Sequence, residues 1–137
     1  MGLIVLDAGV VIAVLDAADA HHAAALAAVG GCRDQGDDLV LPASAYAECL
    51  VAPNRRGAAA VVTVDRFLDA LPVRVEPATR SIGAGAAALR ATHGAALRLP
   101  DALVVSTAVV LGADRILTTD AGWPTLQVLV KVIAGRA

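Results

Sequence analysis

The sequence predicts an α/β protein with a largely parallel sheet, and three observations lead there. Short apolar runs rich in branched residues, beginning with Leu3-Ile4-Val5-Leu6, alternate with longer Ala-rich stretches of helical character. Gly and Pro punctuation, such as Gly30-Gly31, Pro42 and Pro77, separates strand-length pieces from helix-length ones. The 137 residues are 58% hydrophobic but only 2% aromatic, so Ala, Val and Leu must fill the core, a composition suited to tight helix-on-sheet packing.

Taken in order, Leu3 to Leu6 reads as a buried first strand, followed by a helix from about Val10 whose apolar stretch closes at Asp16 and Asp19. His21 to Val29 reads as a second helix, stopped by Gly30-Gly31. The polar run Arg33 to Asp38 reads as a loop, and Leu39 to Leu41 as a strand stopped by Pro42. Ala43 to Ala52 reads as helical, with Pro53-Asn54-Arg55-Arg56-Gly57 an exposed turn. Ala58 to Leu71 is a helix carrying Val61, Val64, Phe67, Leu68 and Leu71 along one side. Val73 to Val75 is a short strand closed by Pro77, and Ala78 to Thr92 a helix ended by His93-Gly94. Pro100 starts a helix from Asp101 to Leu111, Arg115 to Thr118 is the next strand, and Gln127 to Ile133 the last. No linker, repeat or low-complexity tract interrupts the pattern, so residues 1–137 read as a single domain.

Several classes are excluded or disfavoured. No uncharged apolar run reaches the roughly 18 to 20 residues of a membrane-spanning helix, and the run from Ala102 to Ala113 is broken by Ser106, Thr107 and Gly112. The N-terminal apolar stretch carries Asp7 and no preceding basic residue, unlike a secretory signal, so a cytoplasmic protein is expected. Cys32 and Cys49 lack CxxC spacing and are expected as reduced, small core residues. The net charge of −2 gives no basic footprint for nucleic acid, unless carboxylates gather around divalent cations and invert the local field. A mean hydropathy of +0.70 points to apolar surface that meets another chain.

Of the thirteen acidic residues, Asp16, Asp19, Asp34, Asp37, Asp38, Asp65, Asp69, Glu76 and Asp114 fit helix ends, loops and solvated faces. Asp7 and Asp120 do not, because each follows an apolar strand and so stands at the carboxyl edge of a parallel sheet, where ligand sites form. Asp101 follows Pro100 at a helix start, a place the helix dipole alone would favour. Glu48 lies mid-helix among Tyr46, Ala47, Cys49, Leu50 and Val51, either on a solvent stripe or aimed at a partner. If the four converge, they repel one another and cannot all stay ionised without cations. Hard oxygen ligands of this kind suit Mg²⁺, with Mn²⁺ as a substitute, and the chemistry implied is metal-assisted phosphodiester hydrolysis.

The segments Leu3-Ile4-Val5-Leu6-Asp7, Leu41-Pro42-Ala43-Ser44-Ala45-Tyr46-Ala47-Glu48, Leu99-Pro100-Asp101-Ala102 and Ile116-Leu117-Thr118-Thr119-Asp120 occur in this order across nearly the whole chain. As an ordered set they resemble the PIN-domain ribonucleases, specifically the VapC-type toxins of bacterial toxin–antitoxin pairs. The resemblance implies a three-layer α/β/α fold, Mg²⁺-dependent RNA cleavage, a homodimer, and inhibition by a small cognate antitoxin. It implies that Asp7 and Asp101 are the most constant metal ligands, that Glu48 and Asp120 are the other two acids, and that Thr118 supports the fourth. The chain departs from the family in having Gly9 where a Ser or Thr commonly follows the first acid by two residues.

Other residues carry two readings each. Arg55 and Arg56 can contact RNA phosphate or simply solvate a turn; Arg98 can reach substrate or pair with a site carboxylate. His21, His22 and His93 lack partners at zinc spacing and read as surface or helix-end residues. Trp123 can stack a base or pack at the end of the sheet, with packing favoured. Gly83 and Gly85 do not make a phosphate loop, because no Lys-Ser/Thr follows.

Rival α/β readings are disfavoured. A phosphoacceptor receiver needs an early acidic pair and a Lys at a late strand edge, but Asp7 stands alone and Lys131 is the sole lysine. A phosphatase with an aspartate nucleophile needs Asp-x-Asp, against Asp7-Ala8-Gly9 here. A PIN-fold module that binds RNA or antitoxin without catalysis remains the alternative, against which the retention of all four acids argues. The RNA target is not legible in the sequence.

Overall fold

The computed structural model describes residues 1–136. The elements run β1 (Leu3–Leu6), α1 (Ala8–Leu15), α2 (His22–Asp34), β2 (Asp38–Pro42), α3 (Ala43–Arg56), α4 (Ala58–Ala70), β3 (Val73–Glu76), α5 (Arg80–His93), a 3-10 turn at Gly94–Ala96, α6 (Leu99–Leu111), β4 (Arg115–Thr118) and β5 (Val130–Val132). The strands form one parallel sheet in the order β3-β2-β1-β4-β5. Helices cover both faces, giving three α/β/α layers. This is why the central strands read as unbroken apolar runs: Ile4, Val5, Leu6, Val40, Leu41, Ile116 and Leu117 are all buried.

The chain builds outward from β1 through β2 to β3, then returns to the other side of β1 to lay down β4 and β5. The strand order therefore reverses between β1 and β4. At such a reversal the two flanking connections leave in opposite directions, and a crevice opens beyond the strands' carboxyl ends. Asp7 and Thr118 stand at that crevice, one at the end of each strand.

Three boundaries differ from the sequence expectation. α2 does not stop at Gly30-Gly31 but continues to Asp34, because Val29 and Cys32 share one buried face and hold the extra turn against the core. α3 likewise runs through Pro53 to Arg56, where an exposed turn was expected. Pro53 is buried, and Gly57, at φ +123°, ends the helix in a conformation an L side chain rarely adopts. The last strand is shorter than expected, only Val130–Val132, and residues 121–129 lead into it as turns and irregular backbone.

Two of the acids read as lying at helix ends, in loops or on solvated faces also anchor the sheet. Asp37 Oδ1 accepts from Gly2 N–H at 2.7 Å, and its Oδ2 lies 3.6 Å from the Arg115 guanidinium. Asp114 Oδ2 accepts from Leu3 N–H at 2.7 Å. Together they fix the amino end of β1, opposite the crevice. Cys32 and Cys49 are both buried and unbonded to each other, as expected. No helix among the described residues is long and apolar enough to cross a membrane.

Candidate active site at the β1–β4 crevice

Asp7 is the residue where β1 becomes α1. Its backbone is extended, its N–H continues the β1–β4 pairing by donating to Leu117 O at 3.0 Å, and its side chain caps the helix by accepting from Ala8 N–H at 2.8 Å. That bond uses Oδ1. Oδ2 accepts from the fully buried Thr118 hydroxyl at 2.7 Å. Both carboxylate oxygens are thereby held while each keeps a lone pair for a further partner.

Thr118 also sets the next acid. Its Oγ1 accepts from Asp120 N–H at 3.1 Å, and Asp120 Oδ1 accepts from Gly122 N–H at 2.8 Å, a tight turn at the exposed rim. Asp101 enters from α6, in the first turn after Pro100. Glu48 enters from α3. The next residue, Cys49, directs its thiol at Ala8 O, 3.8 Å away, so α3 lies against the start of α1 and exposed Glu48 comes within reach of the charges of Asp7 and Asp101.

The electrostatics join the four. Burial is the first cause lifting the Asp7 carboxyl above its ordinary value; the bonds from Thr118 and Ala8 oppose the rise, and the Asp120 charge adds to it. Glu48 is raised by burial and then by the charges of Asp7 and Asp101. Asp101 is raised by burial, then by Asp7 and Asp120, with Arg98 pulling it back. The Cys49 thiol is pushed up to about 12 by burial and then by Glu48 and Asp7, so it stays protonated and unreactive. Asp7, Glu48 and Asp101 thus each feel the charge of at least one other acid. Among the described residues no three His, Cys, Asp or Glu side chains stand close enough together to hold a metal ion as they are. In kind, the donors fit a hard divalent cation: all are carboxylate oxygens, and the charged form of three of them is disfavoured until a positive charge arrives.

Arg98, exposed just before α6, acts on the Asp101 charge. Arg55 and Arg56 sit exposed in the last turn of α3, and Arg56 shares with Glu48 a cavity of about 550 Å³ walled by Ile12, Leu15, Ala52 and Val64. The histidines are local anchors: His21 contacts Asp19 at 3.3 Å, His22 Nδ1 meets Ala13 O at 2.7 Å, and His93 ends α5.

Two residues next to the acids were undervalued in the sequence. Trp123 does pack, but its indole Nε1 is buried without a hydrogen bond of good geometry, close enough to Asp101 to favour the ionised carboxylate. Thr119 turns its hydroxyl onto Gly9. Position in the chain hinted at both, since each lies within three residues of Asp120. Their orientation was not legible there.

Acids thus stand near the switch point of an open parallel sheet, where ligand sites of such sheets form. The model of the PIN domain matches residues 4–128, and the chain belongs to that family. Among solved structures it is similar to VapC20 of Mycobacterium tuberculosis, described as a sarcin-ricin loop cleaving toxin, with 23% identity and a TM-score of 0.66 over 82% of this chain and 86% of that one. It is similar to a toxin–antitoxin complex from Klebsiella pneumoniae, with 18% identity and a TM-score of 0.67 over 89% and 96% of the two chains. VapBC2 from Rickettsia felis, bound to a DNA fragment from its promoter, shares 11% identity at a TM-score of 0.73 over 94% and 97%. No curated protein gives a match by sequence.

Proposed function

We propose that this chain is a divalent-metal-dependent endoribonuclease and the toxin of a toxin–antitoxin pair. The observation that supports the reading is that Thr118 holds Asp7 and the turn to Asp120 at the β1–β4 crevice, while the charges of Asp7, Asp101 and Asp120 bear on neighbouring carboxyls that include Glu48. Membership of the PIN family and the likeness in fold to toxin structures support it.

In this reading Asp7 and Asp101 are the principal ligands of Mg²⁺ or Mn²⁺, and Glu48 and Asp120 complete the set. When bound, such a cation supplies an activated water and charge stabilisation for phosphodiester hydrolysis. The protein's own contribution is orientation. Thr118 and Ala8 hold the Asp7 carboxylate in one rotamer, and Thr118 fixes the backbone that presents Asp120. Arg98, and Arg55 with Arg56 at the end of α3, are the cations available for RNA phosphates, which a chain of net charge −2 needs locally.

The partners follow from the same surface. The apolar cavity beside Glu48 is suited to an apolar antitoxin segment, and an Arg brought with it would pair with the acids and displace the cation. Ile12, Leu15, Leu26, Val51 and Val62 are exposed on α1 to α4 and favour a homodimer.

The test is cleavage of RNA by purified protein with Mg²⁺ or Mn²⁺, against EDTA and against Asp7→Asn and Asp101→Asn. The expected result is metal-dependent cutting that leaves 5′-phosphate and 3′-hydroxyl ends and is lost in both variants. Cyclic phosphate ends, or cutting unaffected by EDTA, would overturn the metal mechanism. Metal binding with no cleavage of any RNA would favour the non-catalytic module.

A further inference from the structure

Gly9 lies in the first turn of α1, two residues beyond Asp7, and Thr119 lies between Thr118, which holds Asp7, and Asp120. A Cβ placed on Gly9 would overlap the Thr119 hydroxyl oxygen, whereas Thr119 Cβ and Cγ2 would stand 3.7 and 3.9 Å from it. The hydroxyl, not the methyl, is therefore the part of Thr119 that faces α1. It occupies the space where a side chain at position 9 would begin. Backbone conformation does not explain a glycine here, since Gly9 is helical with ordinary φ. The close approach of Thr119 does.

Buried hydroxyls in a protein ordinarily find a partner in the protein or in water. Thr118 and Ser106 do so, with Asp7 Oδ2 and Ile82 O as acceptors. Thr119 is half-buried, its hydroxyl makes no hydrogen bond among the described residues, and it is not one of the fully buried unpartnered atoms, so it is open to water. A Val there would fill the same volume without a polar atom to satisfy, so packing alone does not account for Thr.

We infer that Thr119 is a positioning residue of the acid crevice, its hydroxyl taking the place of a side chain at position 9 and orienting water beside Asp7. The inference rests on the reading of the acids as a divalent-cation site. It makes the pair Gly9 and Thr119 a single unit: the hydroxyl has to be present, and it can be delivered from either side of the contact.

The experiment compares wild type with Thr119→Val, Thr119→Ser, Gly9→Ser and the double variant Gly9→Ser with Thr119→Ala. Mn²⁺ binding is followed by titration calorimetry, folding by melting temperature, and RNA cleavage by kcat and KM. Loss of an outer hydrogen-bonding partner at a metal site commonly costs about 10- to 100-fold in affinity or activity. Thr119→Val should melt near wild type, with Mn²⁺ affinity or kcat reduced in that range and KM for RNA little changed, while Thr119→Ser retains both. Gly9→Ser alone should melt lower, because its Cβ meets the Thr119 hydroxyl. The double variant should regain the melting temperature and exceed Thr119→Val in Mn²⁺ affinity and kcat. Wild-type metal binding and turnover in Thr119→Val would overturn the inference alone, as would a double variant no better than Thr119→Val. An undiminished melting temperature in Gly9→Ser would remove its packing premise. A wild-type protein that neither binds Mn²⁺ nor cuts RNA would overturn the metal-site reading and this inference together.

Discussion

The Thr118 hydroxyl donates to Asp7 Oδ2 at 2.7 Å while accepting from Asp120 N–H at 3.1 Å, so one buried side chain couples the ends of β1 and β4. Replacing Thr118 with Val keeps the shape and deletes both bonds. Leaving buried polar groups unpaired costs about 1–3 kcal/mol, and the variant should unfold at correspondingly lower denaturant. It should also lose cleavage activity beyond that expected from stability, since Asp7 and Asp120 both lose their orientation. A variant as active as wild type would show that the coupling is structural only.

Asp7, Glu48 and Asp101 all hold protons more tightly in the folded chain than in the unfolded one, chiefly through burial. The sign follows by linkage. A raised carboxyl pKa gives stability that is fully present below the unfolded value, 3.8 for Asp7, and is lost as pH rises through the folded value. Asn mimics the protonated acid. Without metal, Asp7→Asn should therefore match wild type near the acid end and become the more stable of the two as pH rises above the ordinary carboxylate range. Melting curves in EDTA across that range check it; a variant less stable at neutral pH would mean that Asp7 is held by bonds worth more than its burial costs.

A cation that binds only the folded protein should raise its stability. At 100 times its dissociation constant, Mg²⁺ or Mn²⁺ should add about 2.7 kcal/mol. The rise should vanish in Asp7→Asn and Asp101→Asn, and Na⁺ at equal ionic strength should not reproduce it. Equal stabilisation of wild type and variants would point to screening rather than a site.

Gly83 and Gly85 sit in the same helix with opposite surroundings. A Cβ on Gly83 meets nothing within 4 Å, whereas one on Gly85 would overlap the Ser106 hydroxyl that binds Ile82 O at 2.7 Å. Gly83→Ala should stabilise by about 0.5–1 kcal/mol through helix propensity. Gly85→Ala should instead destabilise by about 1–3 kcal/mol, because α5 must move off α6 or Ser106 must abandon its bond. Chemical denaturation of the two variants side by side gives the comparison directly.

The sequence by itself determined the fold class and the strand cores, because strands buried on both faces must be continuous apolar runs and β1, β2 and β4 are such runs. It also determined which acids to suspect, since Asp7 and Asp120 break the pattern immediately after a strand. Helix ends were less legible. Gly30-Gly31 and Pro53 are local stop signals, yet burial of Val29, Cys32 and Pro53 outweighs the cost of residues poorly suited to a helix interior. Nothing local marked Asp37 and Asp114 as anchors of β1, or tied Gly9 to Thr119 across 110 positions. Those relations belong to the tertiary structure alone. Propensity and hydrophobic period act over a few residues, whereas a hydrogen bond, a steric overlap or a repulsion between carboxylates depends on which distant segments the sheet order brings side by side.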